Sequence, residues 1–156
     1  MNEDHLKEKI QEIVKQATVL KDRHTDEKDA CVNYACIFSQ SKEEYEELIE
    51  TSHKIGKIVK KTTTGLLFQI QPLNTVSGIL KLLKIRLPDK TRPELGDTDF
   101  TVSNYDEFKE KHLSKKGFKL IQKEGFEMLE LMNPKFNVRV YFSHPTLGEV
   151  LGVEGF

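Results

Sequence analysis

Apolar residues recur at three- and four-residue steps near the start of the chain: Leu6, Ile10, Ile13, Val14, Ala17 and Leu20. That spacing puts them on one stripe of a helix over residues 3–21, with Lys, Glu and Gln on the opposite side. The polar run KDRHTDEKD follows. Residues 1–22 therefore read as an amphipathic helix and 23–29 as a polar linker. The stripe has two uses open to it: a cap over an open sheet edge or face, or an arm that makes a homodimer.

Beyond the linker the pattern changes from helical to strand-like. Ala30–Ser39 is β-prone. Ser41 and Glu44 form a capping box for the next helix, whose apolar face is Tyr45, Leu48, Ile49 and Ile55, and Gly56 marks its end. IVKK, a turn over 62–65, and LLFQIQP read as two hairpin strands, with Pro72, Asn74 and Gly78 in a longer loop. ILKLLKIRLP is another strand, closed by Pro88. DKTRPELGDT has no apolar period and reads as a linker. Phe100–Val102 then predicts a short strand, and Asn104 a cap for YDEFKEKHL. FKLIQKE and FEMLELM predict a hairpin, and NVRVYFS a last strand ended by His144-Pro145. The Gly-rich end, residues 146–156, reads as a loose tail.

The order strand, helix, strand, strand, strand thus occurs twice, over 30–88 and 98–145, with 89–97 between. Phe38 and Phe100, Tyr45 and Phe108, Gly56 and Gly117, and Pro72 and Pro134 repeat at offsets of 61 to 63 positions. The expected fold class is α+β: two βαβββ modules forming a curved, partly open mixed β-sheet barrel, plus the N-terminal helix. This element order resembles the glyoxalase/bleomycin-resistance group, the vicinal oxygen chelate superfamily, over about residues 30–145. The resemblance implies strands curled round a pocket. It also implies, in many members, a divalent metal held by His and carboxylate side chains on the first and last strands of each module. Its members include isomerases, dioxygenases, thiol transferases and antibiotic-sequestering proteins, so fold alone does not choose a function.

The residues here depart from that metal pattern. The first strand offers Asn33, and the fourth offers Lys81, Lys84 and Arg86. The second module offers Asp97 and Asp99 at the entry of its first strand, and Arg139, Tyr141 and the exit residue His144 on its last. Two His and two Glu at the family's positions are missing, so no metal and no cofactor is expected. Alternation along NVRVYFS puts Asn137, Arg139, Tyr141 and Ser143 on one face and Val138, Val140 and Phe142 on the other. An Arg on such a face can fork onto a carboxylate or phosphate. Glu130 shares a strand face with Phe126, Met128 and Met132, and Arg139 is its expected cross-strand partner. The candidate ligand-binding residues are therefore Arg139, Tyr141, Glu130, His144 and Arg86. The competing reading of each is an ordinary solvent face or turn.

Composition narrows the partners. The chain has 156 residues, with 24 Lys and Arg against 25 Asp and Glu and a net charge of -1. Nucleic-acid binding needs surplus cations, so no nucleic-acid partner is expected. No apolar run is long enough for a membrane span, and MNEDHLKEKIQEIVKQ has no apolar signal core, so no membrane partner and a cytoplasmic location are expected. Cys31 and Cys36 read as reduced core residues. His53 and His112 read as partly cationic groups near helix ends, and His24 as solvated. The function expected is binding of a small organic ligand, one that an anionic group would suit. An enzyme on the same scaffold (lyase, isomerase or dioxygenase) and a dimeric interaction protein are the alternatives.

Overall fold

The first helix spends its apolar stripe within its own chain. In the computed structural model, which describes residues 1–152, α1 spans Glu3–His24. Asn2 caps it by accepting from the His5 amide. All six stripe residues are fully buried, against strands of the body. Within the chain the stripe therefore serves as a cap over a sheet face. The helix also runs three residues past its expected end. Lys21, at the head of the polar run, is fully buried. Its ammonium donates to Asp22 and to the carbonyl of Glu27, and sits 5.1 Å over the Phe100 ring. His24 is half-buried and bonds Asn133 in the turn before the last strand, so it is not simply solvated.

Two copies of one unit follow. The first is β1 (Cys31–Phe38), α2 (Lys42–His53), β2 (Gly56–Thr62), β3 (Gly65–Thr75) and β4 (Gly78–Arg86). The second is β5 (Gly96–Thr101), α3 (Tyr105–His112), β6 (Phe118–Lys123), β7 (Phe126–Leu131) and β8 (Val138–His144). A short α4, Leu147–Leu151, comes last. The eight strands form one mixed sheet in the order β2-β3-β4-β1-β5-β8-β7-β6. In each unit the first and last strands pair parallel and the other neighbours antiparallel. The units join through antiparallel β1 and β5. Read from either edge, the order is the same.

The sheet is open, because β2 and β6 are edges and do not pair. It is also strongly curled. A flat sheet of eight strands would hold its edges about 34 Å apart. Here Lys60 and Thr62 of β2 and Ile121 and Lys123 of β6 line one cavity. Twist, and register breaks in β1, β2 and β3, bend the ribbon into a trough. One break lies between Gln69 and Leu73. It lets Pro72 sit inside β3, where a loop was expected, since Pro in a strand needs a lost ladder bond.

The two faces of the ribbon differ. The convex face carries Ala35, Ile37, Leu83, Ile85, Phe100, Val140 and Phe142, all buried with α1 and the two module helices. His112 belongs to this layer. Its ring packs on Phe108 and Phe118, and burial pushes its pKa down, so it is a neutral core residue rather than a helix-end cation. His53 packs edge-on to Phe68. The duplication is real, but one expected landmark is misplaced. Phe38 lies on the concave face beside Arg92 and Arg139, whereas Phe100 packs on Phe142 in the convex layer. No helix among the described residues is long and apolar enough to cross a membrane.

Candidate functional site

Strand alternation sends one residue in two into the trough, and the register lines these residues up across the sheet. One row runs Lys60, Leu67, Lys84, Cys36, Asp97, Arg139 over β2, β3, β4, β1, β5 and β8. Beside it, Tyr34, Asp99, Tyr141 and Glu130 run over β1, β5, β8 and β7. The trough holds a cavity of about 470 Å³. That is ample for a small organic molecule.

Three cations line the cavity close together in the fold. Lys84 and Arg86 project from β4, and Arg92 comes from the loop between the units. Lys84 is held by Thr64 at 2.7 Å, while Asp89 lies 3.6 Å from Arg86 and 3.7 Å from Arg92. Burial pulls the Lys84 pKa below its usual range, with Arg86 and Arg92 adding to the fall. The Nε of Arg86 is buried with no hydrogen-bond partner. At the mouth stand Lys60 and Lys123, with Phe126, Met128, Ile121 and Leu147 giving apolar walls.

Two carboxyls sit on the floor. Asp97 and Asp99 are two residues apart on β5, both facing the trough. The strand begins at Gly96, so Asp97 stands at its entry rather than in the 89–97 linker, and Asp99 lies within it. The sequence GDTD is poor in β-formers, which hid this strand's start; pairing on both sides by β1 and β8 overrides the propensity. Burial pushes the Asp97 carboxyl up to about 7, against the pull of Arg92, Lys84, Arg86 and Arg139. Burial raises Asp99 well above the carboxylate range, and its neighbour Asp97 adds to the rise, while a hydrogen bond from Ser143 opposes it. One oxygen of each, Asp97 Oδ1 and Asp99 Oδ1, is buried without a partner. Tyr34 and the Cys36 thiol are both raised far above their ordinary values by burial, so both are neutral. Cys31 and Cys36 are both free.

The five sequence-predicted residues separate into three groups. Arg86 and Tyr141 line the cavity. Glu130 and Arg139 stand behind it as support: Glu130 accepts from the Tyr141 hydroxyl at 2.6 Å and lies 3.7 Å from Arg139. Arg139 is further held by Glu94 at 2.9 Å and the Thr91 carbonyl at 2.7 Å, which occupies its fork with protein groups. His144 is the correction. Its even-numbered position puts it on the convex side, exposed, with its ring stacked on Tyr105 at 5.1 Å. Sequence reading missed Asp97, Lys84 and Arg92 as site residues. The alternation Asp97, Asp99 against Thr98, Phe100 was a legible signal; Arg92 was marked only by its place among the charges of the turn-rich RPELGDTDF, which reads more simply as linker.

The tail also contributes. Residues 147–151 are helical rather than loose, and the Gly148 amide donates to Asn33 Oδ1 at 3.2 Å. This lays Leu147 and Val150 along the cavity. Residues 153–156 lie outside the described chain.

The divalent-metal set implied by the family resemblance does not fit these residues. The positions that would hold ligands on β4 carry Lys84 and Arg86, whose charge opposes a cation. Among the described residues no three His, Cys, Asp or Glu side chains form a group able to hold a metal ion.

No family model matches this chain, and no curated protein matches it. A solved structure described as "Structural Genomics, Protein EC4020" is similar to it, with a TM-score of 0.73 over 97% of this chain and 92% of that one, at 9% identity. At that identity the likeness is one of fold: an open, curved eight-stranded α+β sheet with an N-terminal helix.

Proposed function

We propose that this chain is a small-molecule-binding protein of the glyoxalase-like type whose ligand is an organic anion held in the trough. The observation that carries this reading is the cluster of Lys84, Arg86 and Arg92 in a partly enclosed cavity, with the Arg86 Nε unpaired. Three cations against Asp89 and the half-neutralised Asp97 still leave a net positive charge in a low-dielectric space. A carboxylate or phosphate relieves that excess, and a guanidinium offers it paired donors. Apolar walls at Ile121, Phe126 and Met128 suit the body of such a ligand.

The test is an NMR titration with phenylacetate, butyrate and inorganic phosphate, with phenethylamine as the control cation. Saturable shifts are expected for the acids at Thr64, Lys84, Arg86 and Tyr141, and none for the amine. Arg86→Ala is expected to weaken acid binding at least about tenfold, the scale of a lost charge-assisted hydrogen bond. Shifts spread over the convex face, or amine binding equal to acid binding, overturn the reading.

Asp97 favours a second, catalytic use of the same cavity. A carboxyl at about 7 is matched to proton transfer near neutral pH. An isomerase-type activity would move a proton at the carbon beside the ligand's acid group. Exchange of that carbon-bound hydrogen with solvent deuterium, lost in Asp97→Asn, is the expected sign; no exchange above the buffer rate for any bound acid counts against it.

A further inference from the structure

A second polar contact on the ligand follows from what the cations leave unused. Asp97 is 6% exposed, faces the cavity, and has one carboxylate oxygen with no hydrogen-bond partner. Its other neighbours in the row cannot supply a donor to that oxygen in the fold as it stands. Cys36 gives its weak S–H contact to the Ile37 carbonyl, and Arg139 is taken by Glu94 and Thr91. A buried acceptor left unpaired is costly, so a ligand that brings a hydrogen-bond donor to Asp97 gains over one that does not. The cation cluster and this acceptor share one cavity: Lys84 and Asp97 are in register with the same residue, Cys36, from its two sides. Their strands are therefore two spacings apart, about 10 Å between backbones. The side chains lean into the trough between them, where one small molecule can reach both.

We infer that the ligand is a hydroxylated carboxylate: its acid group lies on Arg86, Lys84 and Arg92, its hydroxyl donates to Asp97, and its apolar body lies along Ile121, Met128 and Phe126. This inference rests on the anion-binding reading and adds the class of acid. The hydroxyl is a better partner for Asp97 than an ammonium, because an ammonium would compete with the three cations for the same space. A plain carboxylate leaves the Asp97 oxygen unsatisfied and brings a second negative charge close to it. A hydroxy acid offsets that repulsion with a hydrogen bond to a charged acceptor.

Calorimetric titration of the wild-type chain with mandelate, phenylacetate and α-methoxyphenylacetate, at about pH 8 where Asp97 is mostly ionised, tests this. The three share an aromatic acid skeleton; only mandelate adds a donor beside the acid. Mandelate is expected to bind at least about tenfold more tightly than either of the others. In Asp97→Ala the mandelate preference over phenylacetate is expected to fall to within about twofold, with phenylacetate held as well as before or better. The wild-type comparison with the methoxy acid does not depend on the variant's folding. Equal binding of mandelate and phenylacetate overturns the hydroxyl assignment while leaving the anion site standing. A preference that survives in Asp97→Ala overturns the role of Asp97. Failure of all three acids and of inorganic phosphate to bind overturns the anion-binding reading itself.

Discussion

Arg92 donates through Nη1 to the phenol oxygen of Tyr141 at 3.2 Å, and the Tyr141 hydroxyl donates onward to Glu130 at 2.6 Å. The first residue belongs to the loop between the two units, the second to β8 and the third to β7. One phenol thus ties the cation that the loop brings to the sheet it closes over. Arg139 secures the same loop at two further points, Glu94 and Thr91, and Gln40 bonds the carbonyls of Arg92 and Glu94. The loop is built as a fixed wall of the cavity.

Replacing Tyr141 with Phe removes that tie: Glu130 keeps only its 3.7 Å ion pair with Arg139, and Arg92 its 3.7 Å ion pair with Asp89. Tyr141 is 2% exposed. A loss of about 1–3 kcal/mol is expected in urea unfolding, the usual cost of stranding a buried polar group. Hydrogen exchange should also quicken over residues 89–95. Unchanged stability together with unchanged exchange would show that the phenol is not what holds the loop.

Lys21 supplies a second prediction. Its stem fills a fully buried site between α1 and the sheet, and its ammonium caps the Glu27 carbonyl above the Phe100 ring. Lys21→Met keeps most of the volume and loses the hydrogen bonds, for a cost of about 1 kcal/mol. Lys21→Ala also opens a cavity against Phe100, for about 2–4 kcal/mol. Urea midpoints of the two variants should therefore separate clearly. Equal midpoints would mean that the charge, not the packing, is what matters at this site.

Acid and base act on this fold with opposite signs. Asp97 is raised to about 7 by burial, so between about pH 4 and 7 the folded chain keeps a proton that the unfolded chain has released. Its contribution is full below about pH 4 and is lost as pH rises through 7, by ~4 kcal/mol at most. Asp99, raised by burial, acts with the same sign. His112 works the other way. Burial lowers its pKa, so the unfolded chain takes up the proton first and stability is lost as pH falls below about 6.5. Asp97→Asn is expected to stabilise the chain relative to wild type at pH 8, and to flatten the fall between pH 5 and 8. His112→Phe is expected to remove the acid-side loss. Urea midpoints across pH 5 to 8 measure both, and a wild-type curve parallel to that of Asp97→Asn would show that Asp97 keeps an ordinary pKa.

Much of this architecture was written in the chain's periodicities. The apolar stripe of α1 and the repeated order of elements were legible because each rests on many residues that obey one period. Alternation along β8 correctly separated Tyr141 and Arg139 from Val140 and Phe142, and the Glu130–Arg139 pair followed from the hairpin between their strands. The failures have local causes. Asp97 looked like linker because Gly and Asp, which make up three of the four residues of GDTD, carry little strand propensity, and only pairing on both sides makes them a central strand. Lys21 looked solvent-facing because its burial depends on Phe100, about eighty positions away. Arg92 has no periodic neighbours at all; its place in the cavity is fixed by Tyr141, Gln40 and Asp89. His144 was misread for a different reason. A place at a strand exit does not by itself turn a side chain inward, and the parity of β8 sends its even positions to the convex side.

Asn33 gives the last prediction, and it concerns access to the cavity. It sits at the register break of β1, fully buried, and its Oδ1 accepts from the Gly148 amide at the start of α4. Thr146 caps the same short helix through the Glu149 amide. Five residues are too few for a helix to hold itself together, so α4 depends on these anchors and on the contacts of Leu147. Asn33→Ala removes the link to β1 without touching the cations. Hydrogen exchange over 147–151 is expected to rise at least about tenfold, while exchange in β5 and β8 stays as it was. If an acid binds in the trough, it should then leave faster, with its association rate little changed, because α4 contributes the apolar Leu147 and Val150 to the lining and no charge. If the dissociation rate is the same with and without Asn33, the helix does not cover the bound molecule and the cavity empties by another route.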